Sequence, residues 1–165
     1  MKNYILTQPV AGKKLRRMAY EILENNADEQ QLILAGIKEN GSVIARNIQR
    51  HLQDIAGDRL KTRLIEISLD KKRPGPVTLS EALPFDDQVI IIIDDVAMSG
   101  KTLLYAMKPF LEFHPRKIES LVLVERSHKA FPVQPDYKGL SLSTTLQEHI
   151  YVEVGGEEIK GAYLE

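Results

Sequence analysis

The sequence has no cysteine and no tryptophan among its 165 residues. Without thiols there can be no disulfide staples and no cysteine-ligated metal, which is compatible with a reducing cytosol. A dominant charge is missing too. The 22 basic and 23 acidic residues give a net charge of −1, which argues against a chain coated overall for nucleic acid but leaves room for local basic patches. No apolar run approaches the ~20 residues of a membrane-spanning helix. The first residues, MKNYILTQPVAGKK, carry too few apolar side chains before Pro9 to read as a signal peptide. Internal repeats and low-complexity stretches are absent. A chain of this length buries roughly 70% of the surface its unfolded form exposes. One cytoplasmic domain over 1–165 is the expectation.

What is present is an alternation of apolar patterns. Leu15, Met18, Ala19, Ile22 and Leu23 repeat at helical spacing and predict a helix over 12–25, with Lys13, Lys14, Arg16 and Arg17 on its other face. LILAGI at 32–37 reads as a buried strand, and KENG at 38–41 as a turn. Ser42 is the expected N-cap of a helix to Ala56, which Gly57 stops. RLIEISL at 63–69 alternates as a strand does. The segment 70–85, with three prolines, a glycine and the run Lys71-Lys72-Arg73, reads as a long mobile loop. QVIIII at 88–93 is apolar on both faces, as in the centre of a covered parallel sheet. A helix is expected from Gly100 to His114, kinked at Pro109. Strands follow at 120–125 and 149–154. This order predicts an α/β fold: an open, mostly parallel sheet with helices on both faces. Ligands bind such sheets beyond the carboxyl ends of the strands, so 38–41, 70–85, 94–102 and 125–132 should meet there.

The stretch IIIIDDVAMSGKT, 90–102, carries the chemistry. A nucleotide triphosphatase phosphate loop needs a glycine five residues before Gly100, and that position is Asp95. A carboxylate there would repel the phosphates and block close backbone approach. A division of labour fits better. Val96, Ala97, Met98, Ser99, Gly100, Lys101 and Thr102 lead into a helix whose free N–H groups, with the Ser99 and Thr102 hydroxyls, would hold a phosphate monoester. Asp94 and Asp95 would accept hydrogen bonds from neutral hydroxyls close by. A ribose 5-phosphate offers both an anionic end and a diol.

Four apolar residues, two acidic ones, an apolar residue, two variable positions, Ser-Gly, one variable position and Thr make up a pattern that Ile90–Thr102 satisfies. In this the segment resembles the type I phosphoribosyltransferases. LAGIKENG resembles their pyrophosphate-binding loop. LVLVERSHKAFPVQPDYKGLSLSTT resembles a segment of the branch of uracil phosphoribosyltransferases that also regulate pyrimidine operons by attenuation. Together with the N-terminal helix and HIYVEV, the resemblance covers about 5–155.

The resemblance implies a glycosyltransferase, specifically a pentosyltransferase. It would use phosphoribosyl pyrophosphate (PRPP) and Mg2+, convert uracil to the nucleoside monophosphate UMP, and assemble as a homodimer or homotetramer. By position it implies that Lys38, Glu39, Asn40 and Gly41 form the pyrophosphate loop and that residues 94–102 hold the ribose phosphate. Lys71 and Arg73 would act from the mobile loop, and Arg126, His128 and Ile150 would line the base site. His128 is open to a second reading as a surface histidine. Mg2+ would be held mainly by PRPP, with Asp94 and Asp95 as candidate protein ligands; His51, His114 and His149 show no ligand spacing. Two departures stand out. The relatives carry Lys-Thr-Arg-Gly where this chain has Lys38-Glu39-Asn40-Gly41, and Lys71 replaces an arginine, losing bidentate phosphate contact. Two alternatives remain open: a pyrimidine-responsive regulator binding an mRNA leader, with Arg46, Arg50, Arg59, Lys61 and Arg63 joining the helix cations in a patch, and a purine phosphoribosyltransferase.

Overall fold

The computed structural model describes residues 1–165. Six strands form the main sheet in the order β4-β3-β2-β5-β6-β7, namely β4 (Thr78–Leu79), β3 (Lys61–Ser68), β2 (Gln31–Ile37), β5 (Val89–Ala97), β6 (Lys117–Arg126) and β7 (Tyr137–Leu142). All pairs are parallel except β3 with β4. Successive residues of β5 point to opposite faces. Ile91 and Ile93 pack under α1 (Gln8–Asn25) and α2 (Asn40–Ala56), whereas Ile90 and Ile92 pack under α3 (Lys101–Ala106), Phe85 and Phe110. All four isoleucines are fully buried. At roughly 1.5–3 kcal/mol each, they hold the strand that carries the acidic pair. The expected architecture of a mostly parallel sheet with helices on both faces is what the chain adopts. No helix is long and apolar enough to cross a membrane.

The structure adds a second layer. β1 (Asn3–Thr7), β9 (Glu158–Leu164) and β8 (Ile150–Gly155) form a separate antiparallel sheet in the order β1-β9-β8. HIYVEV therefore pairs with the C-terminal strand rather than ending the main sheet.

Several expected boundaries shift. α2 starts at Asn40, and Ser42 is not its cap: the Ser42 hydroxyl donates to Glu66 at 2.7 Å, and the capping position falls on Glu39 with no side-chain bond. The helix expected over 100–114 stops at Ala106. Pro109 instead sits near the start of a separate 3-10 turn, Lys108–Phe110, where its missing N–H costs nothing. The 70–85 loop is fastened over its second half. Thr78 and Leu79 pair with β3, Ser80 N–H donates to the Glu66 carbonyl, and Phe85 packs edge-on against Phe110 and Phe113 at 5.0 and 5.3 Å.

Candidate functional site

The strand order of the main sheet reverses between β2 and β5: from β2 the chain adds β3 on one side, and β5, β6 and β7 follow on the other. At such a switch point the loops leaving neighbouring strands diverge and open a crevice. Pairing of β5 with β2 ends at Gly36↔Ile93, but pairing with β6 continues through Asp94, Val96 and Ala97. The two aspartates therefore do not end the strand as expected. They lie on a stretch paired on one side only, and the first turn of α2 fills the other side. Gly41 makes this approach possible, since a Cβ there would lie 2.6 Å from the Ile93 carbonyl and 3.2 Å from Asp94 Oδ1.

The acidic pair is held from three directions. Asp94 is 1% exposed, and its carboxylate accepts from Lys71 Nζ at 3.1 and 3.2 Å and from the Asp95 N–H at 2.8 Å. Asp95 accepts from Asn40 Nδ2 at 3.0 Å and from the Val96 N–H at 2.8 Å, and it lies 3.8 Å from Lys71 Nζ. Asn40 also donates to the Val152 carbonyl at 3.2 Å, tying the small sheet to the site. Burial, reinforced by the neighbouring Asp95 charge, pushes the Asp94 carboxyl well above its usual range, and Lys71 only partly opposes this. For Lys71, burial works against the charged form, but the two carboxylates outweigh it and the ammonium is held above its usual value.

Beyond the pair lies a cleft of about 220 Å3 lined by Lys71, Asp94, Asp95, residues 96–103 and Ile150. Its floor is the Ala97–Thr102 loop. Gly100 sits at φ +87°, a left-handed conformation that favours glycine. Ser99 Oγ accepts from the Lys101 N–H at 3.2 Å, and the Ser99 carbonyl accepts from the N–H groups of Ala130 and Phe131 at 3.1 and 3.0 Å. α3 has only six residues. A helix that short sums few aligned peptide dipoles, so the loop's N–H groups and hydroxyls, more than a helix dipole, are what an anion would meet.

The four strand-end segments do meet, as the topology predicts: Asn40 donates to Asp95, Lys71 reaches Asp94, and the Ser99 carbonyl accepts from 130–131. Lys38 and Glu39, joined by a cis peptide, are exposed at the edge of this cluster. The remaining sequence candidates lie outside the cleft lining. Arg73 is exposed, and its N–H and that of Lys72 bond the Asp70 carboxylate. His128 is exposed. The guanidinium of Arg126 is taken up by the 144–148 segment, donating to Thr144 Oγ1 at 2.8 Å and to the Glu148 carbonyl at 3.0 Å; that segment leads to Ile150. Two pairings are beyond the sequence reading, although it names Asn40 as part of the pyrophosphate loop. Asn40 could not be tied to Asp95, 55 residues away, and the buried pair Glu125–Lys129 bridges a strand end and a loop with no periodicity to reveal it.

Comparison with known proteins places this geometry. The family model described as "Phosphoribosyl transferase domain" matches residues 2–157. The chain is 30% identical to the bifunctional protein PyrR of Clostridioides difficile over 95% of both chains. It is 33% identical to the bifunctional protein PyrR of Staphylococcus carnosus, over 93% of this chain and 92% of that one. Among solved structures it superimposes on the hypoxanthine phosphoribosyltransferase of Trypanosoma cruzi with a TM-score of 0.74 at 15% identity, covering 86% of this chain and 82% of that one. A hypoxanthine-guanine phosphoribosyltransferase of Bacillus anthracis gives a TM-score of 0.74 at 17% identity over 91% and 87% of the two chains. At these identities the solved structures show a shared fold.

Proposed function

Since this chain belongs to the phosphoribosyltransferase family, we propose that it acts as one domain over 1–165 and transfers the phosphoribosyl group of PRPP to a nucleobase, uracil first among them. The observation that carries the reading is the placement of a carboxylate pair, Asp94 buried and Asp95 partly exposed, and a Ser-Gly-Lys-Thr loop in one cleft at the sheet's switch point. The loop takes the 5-phosphate through its N–H groups and the Ser99 and Thr102 hydroxyls. Asp94 and Asp95 take the ribose diol, and the 38–41 turn lies where the pyrophosphate leaves. Uracil is favoured by the resemblance of 121–145 to the regulator branch, and a Bacillus or trypanosome purine enzyme at 15–17% identity does not displace it.

In the reaction the bond from ribose C1 to pyrophosphate breaks, the bond from C1 to the uracil nitrogen forms, and that nitrogen loses its proton. The ring carries positive charge between these events. Two fixed carboxylates beside the ribose stabilise that charge without having to reorganise. Lys71 bridges both carboxylates, and on the 70–77 segment it is placed to exchange this contact for one to the anionic substrate as the loop closes and excludes water. The carboxylates are hard oxygen donors, and no third acidic or histidine side chain joins them in a metal-binding group. That donor set suits Mg2+ held mostly by substrate oxygens, with Asp94 or Asp95 as protein partner. The ion would neutralise charge on the departing pyrophosphate.

Incubation with PRPP, Mg2+ and uracil, hypoxanthine, guanine or orotate in turn, read by pyrophosphate release, tests the proposal. Release with uracil is expected; silence with every base would reject it, and release with hypoxanthine or guanine alone would move the substrate to a purine.

A second reading, regulation through a pyrimidine mRNA leader, is favoured by the curated relatives being named bifunctional. Lys13, Arg16 and Arg17 are exposed on α1. Neighbouring acids already pair with several basic residues, Arg17 with Glu21, Arg46 with Glu157 and Arg63 with Glu81, so any RNA affinity must compete with those contacts. Leader RNA should bind more tightly than unrelated RNA, with a salt dependence that counts the phosphates neutralised; equal binding discards this reading.

A further inference from the structure

Lys129 is the most deeply buried charged partner in any of the protein's ion pairs apart from the carboxylates. Its side chain is 4% exposed and pairs at 2.5 Å with Glu125, itself 2% exposed. Lys138, on the edge strand β7, reaches the other oxygen of Glu125 at 2.9 Å. Burial pushes the Glu125 carboxyl up, but hydrogen bonds from Lys129, Lys138 and Ser141 outweigh it and hold the group below its usual range. The carboxylate is therefore ionised at neutral pH, and the cluster of one carboxylate and two ammonium groups carries a net positive charge.

Burying such a pair is a poor way to gain stability. Removing both ions from water costs several kcal/mol apiece, and apolar replacements of similar size do as well or better. The surroundings show what the pair does. β6 ends at Arg126, and the chain then folds back so that Lys129 can reach Glu125. This turn presents the N–H groups of Ala130 and Phe131 to the Ser99 carbonyl at 3.1 and 3.0 Å. It also brings Lys129 Cδ and the Phe131 carbonyl to 3.4 Å from where a Cβ on Gly100 would lie. The floor of the cleft thus rests on a turn closed by the ion pair.

We propose that Glu125 and Lys129 are positioning residues for the phosphate loop: their ion pair closes the 126–131 turn, and that turn fixes Ser99 and Gly100 in the geometry that grips a ribose 5-phosphate. The inference rests on the reading of 97–102 as the phosphate loop. Neither residue lines the cleft.

The test is the affinity for ribose 5-phosphate and for ribose, measured by NMR titration on folded protein of known melting temperature. Wild type should prefer ribose 5-phosphate. Lys129→Met should weaken ribose 5-phosphate binding about tenfold, the scale of one lost hydrogen bond to a charged group, and leave ribose binding unchanged, while Lys129→Arg should restore most of the preference. Because Lys129→Met leaves Glu125 short of a buried partner, Glu125→Leu with Lys129→Met is the companion variant; it should fold at least as stably as wild type and still lose the preference. A preference that survives in this double variant overturns the positioning role. A wild type that binds both sugars equally overturns the phosphate-loop reading itself, a result distinguishable from the first.

Discussion

Replacing Gly41 with alanine sets two physical effects against each other. Gly41 lies in the first turn of α2 with a helical backbone, so propensity alone favours alanine by about 0.5–1 kcal/mol. Packing says the opposite. The new methyl would lie 2.6 Å from the Ile93 carbonyl, 3.1 Å from Asp94 Cα and 3.2 Å from Asp94 Oδ1. Reaching the 3.4 Å of an ordinary contact with the carbonyl requires a shift of about 0.8 Å. Neither neighbour can yield alone, since the Ile93 carbonyl belongs to a central strand and Asp94 is held by Lys71. The helix start must move instead, carrying with it the Asn40 side chain that bonds Asp95 and Val152. Overpacking of this kind costs about 1–3 kcal/mol, which exceeds the propensity gain by up to about 2.5 kcal/mol and lowers the melting temperature by up to about 10 °C, at about 2–4 °C per kcal/mol for a chain of this size. A displacement approaching 1 Å beside the reacting centre reduces kcat/KM for PRPP by on the order of 10²-fold. Differential scanning calorimetry and initial rates with PRPP varied are the assays. A melting temperature raised by the mutation, with kcat/KM within twofold of wild type, would refute the packing argument.

Other perturbations separate the roles of neighbouring residues. Asp94→Asn with Asp95→Asn lowers kcat/KM by on the order of 10²–10⁴-fold if both act on the charged transition state, and near-wild-type rates would remove them from the mechanism. Asp94 has a folded-state pKa above its unfolded value, so its ionisation weakens the ligand-free protein above the folded pKa, and the loss is recovered as pH falls through that value towards 3.8. Denaturant midpoints of wild type should show this recovery and those of Asp94→Asn should lack it; parallel curves would contradict the assignment. Gly100→Ala forces a side chain into φ +87°, at about 1–2 kcal/mol, and raises KM for PRPP more than KM for the base. Arg126→Ala releases the 144–148 segment and should raise KM for the base while leaving PRPP binding intact; an equal rise for both substrates would argue against a clamp on that segment.

The parts of this fold legible from sequence were those with one dominant signal. Ile90–Ile93 is apolar on both faces because β5 is covered on both faces, and the Asp pair broke that run abruptly enough to mark the site. Strands on the edges or in the small sheet gave no such signal. β7 reads YKGLSL, with only Tyr137 and Gly139 buried and Leu140 and Leu142 half-buried, and β1 and β9 find their partners at opposite ends of the chain. Ser42 looked like a cap because capping needs only a hydroxyl near a helix start. Glu66, 24 residues on, competes for that hydroxyl and takes it. Pro109 reads as lying inside a helix because apolar residues continue past Ala106, but the chain turns as a 3-10 helix that buries Phe110 and leaves Leu111 exposed. In the site, residues from separate segments are nameable from sequence, Asn40, Lys71 and Ile150 among them, but their pairings are not: Asn40 with Asp95 spans 55 residues, and Glu125 with Lys129 depends on how the chain folds back after β6.

The most direct test of the central claim is calorimetric titration of PRPP with Mg2+ into wild type and into Asp94→Asn with Asp95→Asn, without base. One PRPP per chain is predicted for wild type, with affinity reduced at least tenfold in the variant by loss of the charged hydrogen bonds to the ribose diol. Absence of PRPP binding to wild type, or equal binding to both proteins, would contradict the assignment of this cleft.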